Sequence, residues 1–77
     1  MSYYRESRTY TKRIAYDANG NIEYMGWAKP GASTDDAVWS VVKHTYDASN
    51  RLTATEFADG DDSLDNVWDD RATLTYS

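Results

Sequence analysis

The sequence has no cysteine, one histidine, one proline and four glycines. Without cysteine there are no disulfides and no thiolate zinc sites, a composition that fits a reducing compartment. The lone imidazole, His44, excludes a multi-histidine metal site. The longest apolar stretch is Ala37-Val38-Trp39-Ser40-Val41-Val42, far short of the roughly 20 residues a membrane-spanning helix requires. The segment Met1-Ser2-Tyr3-Tyr4-Arg5 has no apolar core of the kind a Sec-type leader needs, so a soluble protein made in the cytoplasm is expected. Gly20, Gly26, Gly31 and Gly60 are scattered and form no phosphate-cradling loop. No Gly-x-Ser-x-Gly elbow is present, and His44 falls between Lys43 and Thr45 on an expected strand. These absences point to a protein that is not an enzyme and takes no cofactor and no small-molecule substrate.

What the chain does have is charge asymmetry, aromatics and turn chemistry. Its 77 residues allow one domain, and a chain of this size builds only a marginal core unless something staples it. With disulfides excluded, a partner chain or self-association is the expected staple. Residues 1–14 carry a net charge of +3, from Arg5, Arg8, Lys12 and Arg13 against Glu6, and residues 15–77 carry −8. The sequence thus divides into a basic N-terminal strand or arm, 1–14, and an acidic body, 15–77, within a single domain. An acidic body argues against nucleic acid, because phosphate binding needs a basic face. The polarity could steer the basic strand of one subunit onto the acidic end of another.

An internal echo runs at an offset of 30 residues. Arg13-Ile14-Ala15-Tyr16-Asp17-Ala18-Asn19-Gly20-Asn21-Ile22 aligns with Lys43-His44-Thr45-Tyr46-Asp47-Ala48-Ser49-Asn50-Arg51-Leu52, and Trp27-Ala28 aligns with Phe57-Ala58. Asp36-Ala37-Val38-Trp39 matches Asp65-Asn66-Val67-Trp68 one residue out of step. Asp17-Ala18-Asn19-Gly20 is a hairpin turn signal, since Gly and Asn accept the positive φ that tight turns impose; Asn50 takes the place of that glycine in the second unit. Around the turns the residues alternate with period two. Tyr10, Lys12, Ile14 and Tyr16 share one face, as do Ile22, Tyr24, Gly26 and Ala28, and Ala72, Leu74 and Tyr76 alternate with Arg71, Thr73 and Thr75. The run Val38-Trp39-Ser40-Val41-Val42 suits a central strand covered on both faces. The expected fold is all-β: a small antiparallel sheet or open barrel of two pseudo-repeated hairpins plus a C-terminal strand. Residues 29–36 and 59–65 form loops, and at most one or two short helical turns follow Ser33 or Ser63.

Three groups of side chains are candidates for function. Asp59, Asp61, Ser63, Asp65 and Asp70 fall at positions 1, 3, 5, 7 and 12 of an EF-hand count, but Leu64 stands where the loop needs glycine and no helices flank it. Asp59, Asp61, Asp65 and Asp70 are therefore a weak calcium candidate beside a solvated acidic loop, and no other metal site is expected. Tyr4, Arg5, Arg8 and Tyr10 interleave aromatics with cations, a pattern suited to protein interfaces. Trp39 is expected in the core, while Trp27 and Trp68 are offered either to the core or to a partner. Arg71, beside Asp69 and Asp70, is offered as half of a bidentate carboxylate pair that fixes the turn or an interface.

Two resemblances bear on function. Tyr16-Asp17-Ala18-Asn19-Gly20-Asn21 and Tyr46-Asp47-Ala48-Ser49-Asn50-Arg51-Leu52-Thr53 look like the YD repeats of Rhs-type proteins, which occur in long arrays where this chain offers two. A longer resemblance covers residues 16–77. It rests on Tyr24-Met25-Gly26-Trp27-Ala28, Pro30-Gly31, Ala37-Val38-Trp39, Tyr46-Asp47 and the stretch Asp65-Asn66-Val67-Trp68-Asp69-Asp70-Arg71-Ala72 with Leu74-Thr75-Tyr76-Ser77. In these residues the chain resembles short structural proteins of tailed bacteriophages. That resemblance implies a component of the virion, in the tail, neck, fibre attachment or capsid decoration, present in the host cytoplasm before assembly. Its partners would be other virion proteins and copies of itself. The alternative is a small acidic phage inhibitor or regulator that occupies a basic site on a host protein.

Overall fold

The computed structural model describes residues 9–77. Among these residues five strands form one open antiparallel sheet: β1 (Thr11–Tyr16), β2 (Ile22–Ala28), β3 (Ala37–Tyr46), β4 (Leu52–Phe57) and the short β5 (Asn66–Val67). The strand order is β1-β2-β3-β4, and β5 pairs with the first residues of β3, where Ala37 meets Val67 and Trp39 meets Asn66. A 3-10 helix, Trp68–Thr73, follows β5. The expected small all-β fold is the fold observed, as an open sheet.

The two hairpin turns repeat one another bond for bond. In the first, Asp17 Oδ1 accepts the amides of Asn19 and Asn21, both at 2.9 Å. In the second, Asp47 Oδ1 accepts those of Ser49 at 2.9 Å and Arg51 at 3.0 Å. Gly20 closes the first turn at φ 82° and Asn50 the second at φ 62°, the left-handed conformation that glycine and asparagine enter at least cost. Each hairpin carries a register irregularity in its last pairs, at Ala15/Tyr16 and at Thr45/Tyr46. The turns also touch, because Asn21 Nδ2 donates to Asn50 Oδ1 at 3.0 Å.

The echo at the Val-Trp segments builds the core. Trp39 on β3 and Trp68 at the start of the 3-10 helix pack together, ring centroids 6.1 Å apart and planes tilted by 41°. Both are buried, with Val41, Ala28 and Ala58 around them and Tyr24, Leu74 and Tyr76 at the margin. Trp39 Nε1 donates to the Ser33 carbonyl at 2.9 Å, so its one polar group is satisfied. Removing either indole would cost about 3–5 kcal/mol by the usual scale for buried aromatics. Gly26 makes this packing fit: a Cβ there would lie 2.6 Å from Cε3 of Trp68 and 3.3 Å from Cε3 of Trp39. A glycine inside a strand marks such a close approach.

The C-terminal segment departs from the expected strand. Residues 68–73 coil into the 3-10 helix, which carries Trp68 onto the sheet, and only the tail returns to extended pairing. Phe57 and Ser77 exchange both backbone hydrogen bonds, at 3.1 and 3.0 Å, and Asp59 N donates to the Thr75 carbonyl at 2.8 Å. Period two in Ala72, Leu74 and Tyr76 signalled the burial of Leu74 and Tyr76, but the indole of Trp68 requires a tighter coil before it. After Ser33 a single turn closes, with Asp36 N donating to the Ser33 carbonyl at 3.1 Å, and the one short helix forms at Trp68–Thr73 instead of directly after Ser63.

Candidate functional site: the face away from the tryptophan core

Residues paired across an antiparallel sheet project to the same face, so the register divides the side chains cleanly. Gly26, Val41 and Tyr24 face the indoles. Lys12 with Trp27, Ile14 with Met25, Trp27 with Ser40, Met25 with Val42, and Val42 with Phe57 face the other way. Here the 30-residue echo reappears in space. Trp27 and Phe57 flank β3 on this second face, one from each side, while their successors Ala28 and Ala58 are fully buried on the first.

Between the two aromatics lies a depression of about 660 Å³, lined by Tyr10, Trp27, Ser40, Phe57, Asp62, Ser63 and Leu64. Its lining joins the apolar side chains of Tyr10, Trp27, Phe57 and Leu64 to the polar ones of Ser40, Asp62 and Ser63. Tyr10 is 37% exposed and Phe57 36%. Aromatic side chains set beside polar ones at the surface are a common feature of protein-binding patches.

The candidates from the sequence separate as follows. Trp27 and Tyr10 come together in this depression. Trp68 does not join them; at 6% exposure it belongs to the core, because the Gly26 gap admits it. Arg71 makes no carboxylate pair among the described residues. Its guanidinium lies 4.7 Å from the centroid of the Trp68 ring and donates to the Trp68 carbonyl at 3.4 Å, so it covers the indole from outside. Tyr4, Arg5 and Arg8 lie outside the described residues. The acids of the calcium count do not converge. Among the described residues no three His, Cys, Asp or Glu side chains stand together as metal ligands. Asp61 Oδ1 instead accepts the Ser63 amide at 3.0 Å and Asp65 Oδ1 the Asn66 side chain at 3.3 Å, so both act locally.

Phe57 and Leu64 were not singled out by sequence reasoning, although the alignment of Phe57 with Trp27 in the echo was the signal for the first. His44 Nδ1 lies 2.8 Å from Thr55 Oγ1, and among the described residues no carboxylate is bonded to its other nitrogen. The side chains of the tail have a clearer electrostatic character. Tyr76 donates its hydroxyl to the Arg71 carbonyl at 2.7 Å and packs against Tyr24 at 5.9 Å. Burial, helped by the neighbouring Tyr24 and opposed by Arg71, pushes its pKa up to about 12. In the second turn, the Arg51 amide and the other donors around Asp47 hold that carboxylate below its ordinary pKa.

Fold and face together define a small antiparallel β-protein with one packed face and one aromatic, partly open face. No family model, no curated protein and no solved structure matches the chain.

Proposed function

We propose that the chain is a non-enzymatic structural component of a tailed-phage particle that docks on a neighbouring virion protein through the Trp27–Phe57 face. The observation that carries the docking reading is the depression between Trp27 and Phe57, where large apolar side chains stand at the surface of a domain too small to leave them idle. The resemblance of residues 16–77 to short phage structural proteins supports the particle as its destination. Trp is the residue type most enriched among binding hot spots, and its truncation there typically costs about 2 kcal/mol or more.

The test is mass spectrometry of gradient-purified particles made from the genome that encodes the chain. The expected result is the chain present at a fixed ratio to the major capsid or tail protein. Trp27→Ala should lower its occupancy at least about tenfold while leaving its melting temperature within a few degrees. Absence from the particles would sink the virion reading. Salt-sensitive binding of the free monomer to a basic host protein would then favour the inhibitor alternative, for which the exposed acids Asp59, Asp61 and Asp62 are the available surface.

A further inference from the structure

Among the described residues β1 and β4 are the outer strands of the sheet, and they differ in character. Among the described residues no strand lies along the outer side of β1, and on β4 only the end is taken, where Ser77 bonds Phe57. Of the exposed large apolar residues, Ile14 and Tyr16 lie on β1 and Leu52 and Phe57 on β4, with exposures of 40%, 62%, 54% and 36%. β1 carries Lys12 and Arg13 with no acid, whereas β4 carries Glu56 with no cation. Open edges with apolar side chains are templates for another chain.

We infer that the β1 edge of one copy pairs antiparallel with the β4 edge of the next, continuing the sheet from subunit to subunit. Three observations select this partner. In a meander of alternating strands β1 and β4 run in opposite directions, so a neighbour related by rotation presents β1 antiparallel to β4 with the core faces on the same side. That direction sets the Lys12–Arg13 end of β1 beside the Glu56 end of β4, and the Tyr16 end beside Leu52. The parallel alternative brings Arg13 toward Arg51 instead. Self-pairing of β1 with β1 would put four cations in one two-stranded ladder, where like charges destabilise. The contact is heterologous, so it generates a ring where the rotation closes and a filament where it does not. It uses the strand edges, sharing only Phe57 with the docking face, and so goes beyond the docking role proposed above.

The backbone also fixes which amides would form the new ladder. Ala58 N donates inward to Val41 O, while Phe57 N and O turn outward to Ser77. By alternation the Thr53 and Thr55 amides point outward as well, toward the neighbour. Proline at 55 removes one outward donor and leaves the β3–β4 ladder its bonds, a setting in which an edge strand tolerates proline.

The experiment is absolute mass by light scattering and sedimentation across a concentration series, for the wild-type chain and four variants. The wild type should form a discrete oligomer or a growing series. Arg13→Glu and Glu56→Lys should each weaken association about tenfold, the double variant Arg13→Glu with Glu56→Lys should regain it, and Thr55→Pro should abolish it, with circular dichroism unchanged throughout. A wild type that stays monomeric at every concentration overturns the inference and leaves the Trp27 docking test untouched. So does a double variant as weak as either single one, or a Thr55→Pro chain that keeps its mass.

Discussion

Gly26 is the residue on which the core depends most directly. The indoles of Trp39 and Trp68 occupy the room that its missing side chain leaves, and a methyl at 2.6 Å from Trp68 cannot be accommodated without displacing the ring. Gly26→Ala is therefore expected to destabilise by about 2–3 kcal/mol, read as a fall in the denaturation midpoint with an unchanged slope. Tyr76 gives a second prediction at this scale. Its pKa is raised in the folded chain, so its contribution to stability is complete below the unfolded value near 10 and is lost as pH rises through about 12. Ultraviolet titration should show the late Tyr76 phenolate, and alkaline unfolding should steepen in that window. Tyr76→Phe should remove the late phenolate and that part of the steepening. Neither role was legible in the sequence. Gly26 reads as one more small residue in an alternating strand, and the pairing of the indoles that makes it necessary is a contact between residues 39 and 68.

At the scale of the element, the hairpins were the most legible part of the chain, because turn chemistry is local. Asp17 and Asp47 each satisfy two amides of their own turn, and the left-handed residue follows in the same place. Gly20→Asn should cost only a few tenths of a kcal/mol, since Asn50 already holds that conformation, whereas Gly20→Val should cost about 1–2 kcal/mol. Thermal melts of the two variants separate the cases. The Asp47 carboxylate is held below its ordinary pKa, so the stability it lends the second turn is present above the unfolded carboxylate range and fades as pH falls through the folded value. The C-terminal element was less legible. Alternation in residues 72–76 reported which side chains are buried but not the backbone that buries them, because the 3-10 helix is dictated by the need to seat Trp68 on a sheet residues away in sequence. For the same reason Arg71 reads as a carboxylate partner beside Asp69 and Asp70, yet it lies over an indole.

For the whole molecule, the echo implies that neither half is self-sufficient. The first half contributes Trp39, the second Trp68, and the two indoles pack on each other in one shared core. Deleting residues 68–77 should uncover Trp39 and leave a chain without cooperative unfolding, seen as loss of near-ultraviolet circular dichroism and a broad melt. The same symmetry explains why the candidate site was half visible in advance: aligning Trp27-Ala28 with Phe57-Ala58 placed two aromatics in equivalent positions, but which face they shared waited on the register of β3. The depression itself also needs Leu64 and Ser63, which a loop of no repeated pattern delivers.

The tilted pair of Trp39 and Trp68 has one more consequence. Two indoles held at 6.1 Å form a coupled chromophore, whose circular dichroism shows a signed couplet only while both halves of the chain are closed on each other. Trp27, on the opposite face and only partly buried, is the one of the three indoles within reach of a soluble quencher. The protein thus carries two optical reporters without any label: one for the integrity of its core, and one for whatever comes to cover its other face.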